Sequence, residues 1–237
     1  MNFKKTPTII YLCVLPILIS LGFWQLDRAS VKTLILEKRQ SGLATSEIVS
    51  LSKSTENNLD LLKYKKVKLQ GRYDKEHQFL IDNQINAGKV GYLVLTPFIL
   101  FDGPQAVLVN RGWVPLNTNR NLLPEIKIQS DPDELTGRVN SFPSVGIKLD
   151  GAEIPSSNWP SIVQVVDTPV LENILGYTLF SFQVELDKDL PEGFKRDWQV
   201  SSIMLPEQHI AYAVQWFALA LTLTVLFFWY SKKNKDD

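Results

Sequence analysis

Cysteine, histidine and net charge are all scarce in this chain, and each scarcity removes a class of function. A single cysteine, Cys13, among 237 residues excludes an intrachain disulfide and any CxxC metal framework. Two histidines, His77 and His209, leave most zinc sites and hydrolytic triads without their usual parts. The 25 basic residues are matched by 25 acidic ones, so no basic surplus exists to attract nucleic acid. No Gly-rich phosphate loop, internal repeat or low-complexity tract occurs. No serine, cysteine or carboxylate pair stands out as a nucleophile with its base, so an enzymatic role is not expected. With 45% hydrophobic and 21% charged residues, the chain is too apolar for a disordered acidic or basic tail protein.

What is present is segregated. Residues 8–26, TIIYLCVLPILISLGFWQL, and residues 210–230, IAYAVQWFALALTLTVLFFWY, carry no charge. As helices, runs of 19 and 21 residues span roughly 30 Å, the thickness of a bilayer core. Both read as transmembrane helices. The competing reading of the first is a cleaved signal peptide, because Lys4 and Lys5 give it a basic start. Its length and its bulky end, FWQLDR, without a small-x-small cleavage site, argue for a retained helix.

The charges at the ends set the expected orientation. Residues 1–7 carry Lys4 and Lys5 and no acid, and residues 231–237 carry Lys232, Lys233 and Lys235 against Asp236 and Asp237. By the positive-inside rule both tails are expected in the cytoplasm and residues 27–208 on the outer side. Only seven residues precede the first apolar run, whereas a mitochondrial precursor carries an Arg- and Ser-rich leader there. The expected location is therefore a bacterial plasma (inner) membrane with a periplasmic central domain. That domain contains no cysteine, and at 182 residues it is large enough to fold on its hydrophobic core alone.

Within it, residues 27–40 (DRASVKTLILEKRQ) read as an amphipathic continuation of the first helix, with Val31, Leu34 and Ile35 on one side. Residues 41–60 are polar and predict a loop with a short helix. From Tyr64 the period changes to two, and strand-favouring runs follow at 78–82, 91–101, 105–114, 134–139, 161–166 and 178–186. Asn86-Ala87-Gly88 and Asp102-Gly103-Pro104 punctuate them as turns, the second as a hairpin signal. Thr168-Pro169 predicts a helix start, with the helix running to Leu175 before Gly176. The fold class is thus a membrane protein in which two transmembrane α-helices flank a mainly antiparallel α+β domain, a compact sheet or barrel.

Few residues could carry chemistry. His209 opens the second membrane helix, and Tyr212, Ala213, Trp216 and Ala220 fall on its face. An imidazole above small and aromatic residues at the membrane edge suits a haem ligand. It equally suits an interfacial histidine in an aromatic belt. The first helix ends at the same expected level with Gly22, Trp24, Gln25, Asp27 and Arg28. Gly22 permits close approach of a neighbour, and Gln25 should face a partner rather than lipid. Arg28 could pair with a carboxylate such as a haem propionate, or snorkel as an ordinary anchor beside Trp24 and Asp27. In the outer domain, Asn110-Arg111-Gly112-Trp113 at a strand end reads as a binding lip or as a tight corner, with Arg111 paired to an acid and Trp113 in the core. Asn158-Trp159-Pro160 reads as another corner, and His77 as a solvated loop histidine.

These segments together resemble a known family. GFWQLDR at 22–28, YKKVKLQGRYD at 64–74, GYLVLTPF at 91–98, VLVNRGWVP at 107–115 and HIAYAVQWFALAL at 209–221 are similar to the Surfeit locus protein 1 family, in order and across nearly the whole chain. The resemblance implies two membrane helices around an external domain and a role as an assembly factor for cytochrome c oxidase, the terminal haem–copper oxidase of the respiratory chain. It implies the core oxidase subunit and other assembly factors as partners. It also implies transient binding of haem a and help in placing it in the catalytic subunit, with His209 as the ligand to the haem iron. With the neighbours that the chain's own spacing and expected topology place near it, which the resemblance does not itself imply, the expected cofactor site gathers His209, Tyr212, Trp216, Trp24, Gln25 and Arg28, with no catalytic residue. The rival expectation is a cofactor-free membrane scaffold, or chaperone, that stabilises the oxidase core subunit while other proteins insert the haem.

Overall fold

The computed structural model describes residues 5–44, 47–52, 55, 57–119, 122–144, 147–198 and 204–233. Lys4, Lys235, Asp236 and Asp237, which enter the orientation argument, lie outside them. The chain divides into two compact units, residues 1–40 with 200–237, and residues 41–199.

The first unit consists of two long apolar helices. Helix α1, Lys5–Ala44, takes in the first apolar run and the charged stretch after it and has Pro16 in its interior. Helix α4, Pro206–Lys233, begins on a proline, the residue whose missing N–H costs nothing in a first turn. Gln208 reinforces that start by accepting a hydrogen bond from the Leu205 amide at 3.0 Å. Glu207 in the first turn and Lys232 and Lys233 in the last complement the helix dipole. Both helices are long and apolar enough to cross a membrane.

The second unit is a barrel. Its sheet comprises β1 (Ile48–Ser50), β2 (Lys66–Tyr73), β3 (Phe79–Asn86), β4 (Lys89–Leu100), β5 (Gln105–Pro115), β6 (Glu134–Asn140), β7 (Ser161–Val163) and β8 (Thr178–Leu186). The order is β1-β2-β6-β8-β5-β4-β3-β7, and an additional β2–β4 pairing closes β2, β6, β8, β5 and β4 into five-stranded continuity. Closure occurs at a single point of β2. Residues 66–70 pair with β6, and Gly71 to Tyr73 turn to β4. Gly71 is the residue at this corner because a Cβ there would lie 2.1 Å from the Ile99 carbonyl oxygen. The pairings are antiparallel except β1–β2, β3–β7 and β5–β8. Short helices α2 (Leu59–Leu62) and α3 (Thr168–Leu175) complete the unit.

Alternation along the strands builds the interior. Val67, Leu69, Phe98, Val107, Val109, Leu135, Val139, Phe180, Phe182 and Val184 are fully or almost fully buried in one cluster. The opposite faces of β3, β4 and β5 bury Phe79, Ile81, Leu95, Ala106 and Leu108 with Leu171 of α3. Helix α3 is capped by the Asp167 side chain, one residue before the expected Thr168, and ends on Gly176 in the left-handed conformation. The 86–88 turn is a tight one, with positive φ at Ala87 (48°) and Gly88 (76°), the geometry that matches strand twist in a two-residue hairpin. Between 41 and 60 the chain contributes β1 as well as the start of α2.

Asn110-Arg111-Gly112-Trp113 lies inside β5 rather than at a strand end. Leu95 pairs with Asn110 and Val94 with Gly112, so Arg111 is the extra residue of a bulge. The bulge turns the Arg111 side chain into the protein, where it is 1% exposed. Its Nε donates to the Glu192 carbonyl at 2.6 Å and its Nη1 to Gln78 Oε1 and to the Ile126 carbonyl, each at 2.9 Å. The Glu192 carboxylate stands 3.7 Å from Nη2, and the Phe194 ring lies against the guanidinium at 5.0 Å. Trp113 is buried and its indole N–H donates to the Gln84 carbonyl. The corner reading therefore holds, with Glu192 as the acid. His77 is not simply solvated. Its Nδ1 is 2.8 Å from Asp74, its ring meets Trp159 edge-on, and the Tyr177 hydroxyl donates to the same carboxylate.

Candidate functional site

The side chains singled out near the membrane edge all belong to the two-helix unit. On α1, Gly22, Gln25 and Ala29 are buried, a stripe at helical spacing. On α4 the buried positions are His209, Ala213 and Ala220. The helices run antiparallel, because contacts descend in opposite sequence directions. Gln25 meets His209, Gly22 and Phe23 meet Phe217, and Tyr11 meets Thr224 and Phe227. A Cβ on Gly22 would lie 2.5 Å from the Phe217 ring edge, so the ring occupies the space that glycine leaves.

The site centres on one polar pair. His209 Nδ1 and Gln25 Oε1 are 2.7 Å apart, residues 184 positions distant in sequence. His209 is 7% and Gln25 9% exposed. Among the described residues, Nε2 of His209 has no hydrogen-bond partner. Two polar side chains placed on otherwise apolar helices are expected to satisfy each other, since lipid offers no hydrogen bonds. One ring nitrogen remains available after they do.

The other expected residues surround this pair unevenly. Arg28 stacks over Trp24 at 5.7 Å on the exposed side of α1. Trp24 is exposed, Trp216 is half-buried, and Tyr212 is 46% exposed. The structure thus joins Gln25 to His209 and Trp24 to Arg28, and turns Tyr212 outward from the buried stripe. Helical spacing groups Tyr212 with His209 because i+3 and i+4 both fall near one face; the buried stripe follows i+4, through Ala213. What sequence reasoning missed is the Gln25–His209 pairing. Each residue was legible as a polar group in an apolar helix, but the partner was not. Among the described residues no group of three or more His, Cys, Asp or Glu side chains gathers as a metal cluster.

Two helices of membrane-spanning length, the second headed by a buried histidine, and a small closed barrel between them in sequence define the architecture of a membrane protein. The chain belongs to the SURF1 family, whose model matches residues 12–221. It is 31% identical over 224 residues to a SURF1-like protein of Rickettsia bellii, covering 89% of this chain and 85% of that protein. It is 23% identical over 256 residues to Surfeit locus protein 1 of Arabidopsis thaliana, covering 87% and 72%. A shorter match, 34% over 95 residues, covers 40% of this chain and 24% of the cytochrome oxidase assembly protein SHY1 of Saccharomyces cerevisiae.

Proposed function

We propose that this protein is an assembly factor for a haem–copper cytochrome oxidase in a bacterial inner membrane, and that it holds haem a for the catalytic subunit. The oxidase part is supported by the name of the yeast relative and by family membership. The haem part is carried by one observation: His209 is buried at the head of α4 with Nδ1 engaged and, among the described residues, no hydrogen-bond partner on Nε2. The expected orientation places both termini in the cytoplasm and the barrel in the periplasm.

The residues present fit a haem. His209 would offer Nε2 to the iron. Arg28, exposed and stacked on Trp24, would meet a propionate through its planar guanidinium. Trp24 and the half-buried Trp216 offer flat apolar surface. Bound haem supplies a redox-active iron in an apolar ring that water does not carry; the protein's part is to hold it out of water and release it. A single protein ligand on an open helix face suits release better than a closed pocket.

The test is an optical spectrum of detergent-purified protein, wild type beside His209→Ala, from cells that make haem a. A haem a signal in the wild type that the variant loses supports the carrier reading. No haem in either protein, with oxidase assembly still dependent on the chain, leaves the cofactor-free scaffold.

A further inference from the structure

We infer that Gln25 is a positioning residue: it accepts the Nδ1–H of His209 and so fixes the ring in the tautomer whose Nε2 lone pair is free for iron. The inference rests on the haem reading for its purpose, but not for its geometry. With Gln25 Oε1 turned to the ring, 2.7 Å from His209 Nδ1, a carbonyl oxygen that can only accept places the proton on Nδ1. A neutral imidazole has one N–H, and Nε2 is then a bare lone pair. Among the described residues this acceptor is what distinguishes the two ring nitrogens.

The surroundings make the hold rigid. Gly22 and Ala29 lie one turn on either side of Gln25 in the buried stripe, and Ala213 lies one turn below His209. None of these offers a competing hydrogen-bonding side chain, so each member of the pair has the other as its side-chain partner. Metal-bound histidines are commonly oriented by an acceptor on the second nitrogen, which also raises the basicity of the ligating one. Gln25 supplies that acceptor from the other helix. Loading the histidine therefore requires α1 and α4 to be correctly registered, and Gln25 acts through His209 without touching the ligand itself.

The experiment labels the apo protein with 15N-histidine, grown without haem a synthesis. Two histidines give two ring signals, and His77→Asn assigns them. The wild type is expected to show His209 with the proton on Nδ1. Gln25→Leu should abolish that preference, and Gln25→Glu, which can only accept, should restore it. Haemin titrated into the same proteins should bind Gln25→Leu about 10–100-fold more weakly than wild type, and Gln25→Glu at least as tightly as wild type. A wild-type His209 protonated on Nε2 would mean that the Gln25 amide is turned over and donating, and overturns the inference. So does an unchanged tautomer, or unchanged haemin affinity, in Gln25→Leu. If haemin binds wild type and His209→Ala alike, the carrier reading fails instead, while the apo spectrum still decides whether Gln25 orients the ring.

Discussion

Replacing Arg111 with alanine should destabilise the barrel rather than disable a binding surface. The guanidinium is 1% exposed and donates to three acceptors. Removing it leaves the Glu192 and Ile126 carbonyls bare, and a buried acceptor without a donor costs about 1–3 kcal/mol. Gln78 loses less, because the Thr96 hydroxyl still donates to its Oε1 at 3.3 Å. The Glu192 carboxylate keeps the amides of Gln129 and Ser130 and the Ser130 hydroxyl but loses its cation. Breaking a buried pair from one side costs about 3–5 kcal/mol, a figure that overlaps the cost of the acceptors left bare, so about 4 kcal/mol is the expected loss, a large share of the roughly 5–15 kcal/mol that holds a domain together. For a unit of this size that corresponds to a fall in melting temperature of about 8–16 °C. The assay is thermal unfolding in detergent followed by near-ultraviolet circular dichroism, in which Trp113, packed beside the bulge, contributes. Arg111→Lys should fall between, since an ammonium keeps the charge but cannot reach all three acceptors. An Ala variant melting within about 2 °C of wild type while oxidase assembly fails would refute the reasoning and return Arg111 to a binding role.

Gly22→Val should part the helix pair, because the added side chain collides with the Phe217 ring; the check is loss of His209-dependent haem content with an unchanged barrel melting temperature. Acid should weaken the barrel through Asp74 and Glu192. Burial pushes both carboxyls up, but hydrogen bonds outweigh it and hold them below the ordinary range, from His77 and Tyr177 on Asp74 and from Ser130 and Gln129, with the Arg111 charge, on Glu192. A carboxyl depressed in the folded state stabilises above its unfolded pKa, so melting temperature should hold near neutrality and fall as pH drops below about 4, more shallowly in Asp74→Asn. Topology can be read with thiol probes because Cys13 is the sole native cysteine. A membrane-impermeant maleimide on intact cells should label Ser156→Cys and neither Lys233→Cys nor wild type, and labelling of Lys233→Cys alone would invert the orientation.

The barrel was largely legible because its signals are local. Alternation marked β4, β5, β6 and β8 to within about two residues, the usual uncertainty of element boundaries, and Asp102-Gly103 marked the turn between β4 and β5. Closure was not legible. It depends on Gly71 switching β2 from β6 to β4, and a glycine after an alternating run reads equally well as a strand end. The bulge at Arg111 was hidden for a related reason. The expected run 105–114 spans the segment, but an extra residue breaks the period of two, so a kink inside the strand looks like a corner at its end. His77 looked solvated because Asp74 three residues earlier is a turn residue, while Trp159 and Tyr177, which complete its environment, come from distant segments. At the membrane helices the reverse holds. Length and apolarity are local and strong, whereas the meeting of Gln25 with His209 depends on the register between α1 and α4.

That register is where stability and function join. In water a glutamine–histidine hydrogen bond contributes little net free energy, since both groups are solvated when apart. Between apolar helices separation exposes both to a medium without donors or acceptors, and double-mutant cycles put such pairs at about 0.6 kcal/mol on average and about 1.7 at most. This is too little to hold two helices together and enough to select one register among several of similar packing. Small residues at Gly22, Ala29, Ala213 and Ala220 allow the approach, the Phe217 ring fills the space beside Gly22, and the polar pair sets the rotation of one helix about the other. A site built this way is coupled to helix pairing. On the proposed function, parting α1 and α4 would free the imidazole to turn and withdraw Nε2 from a haem, so that release needs no loop to open, only the loss of the Gln25–His209 hydrogen bond.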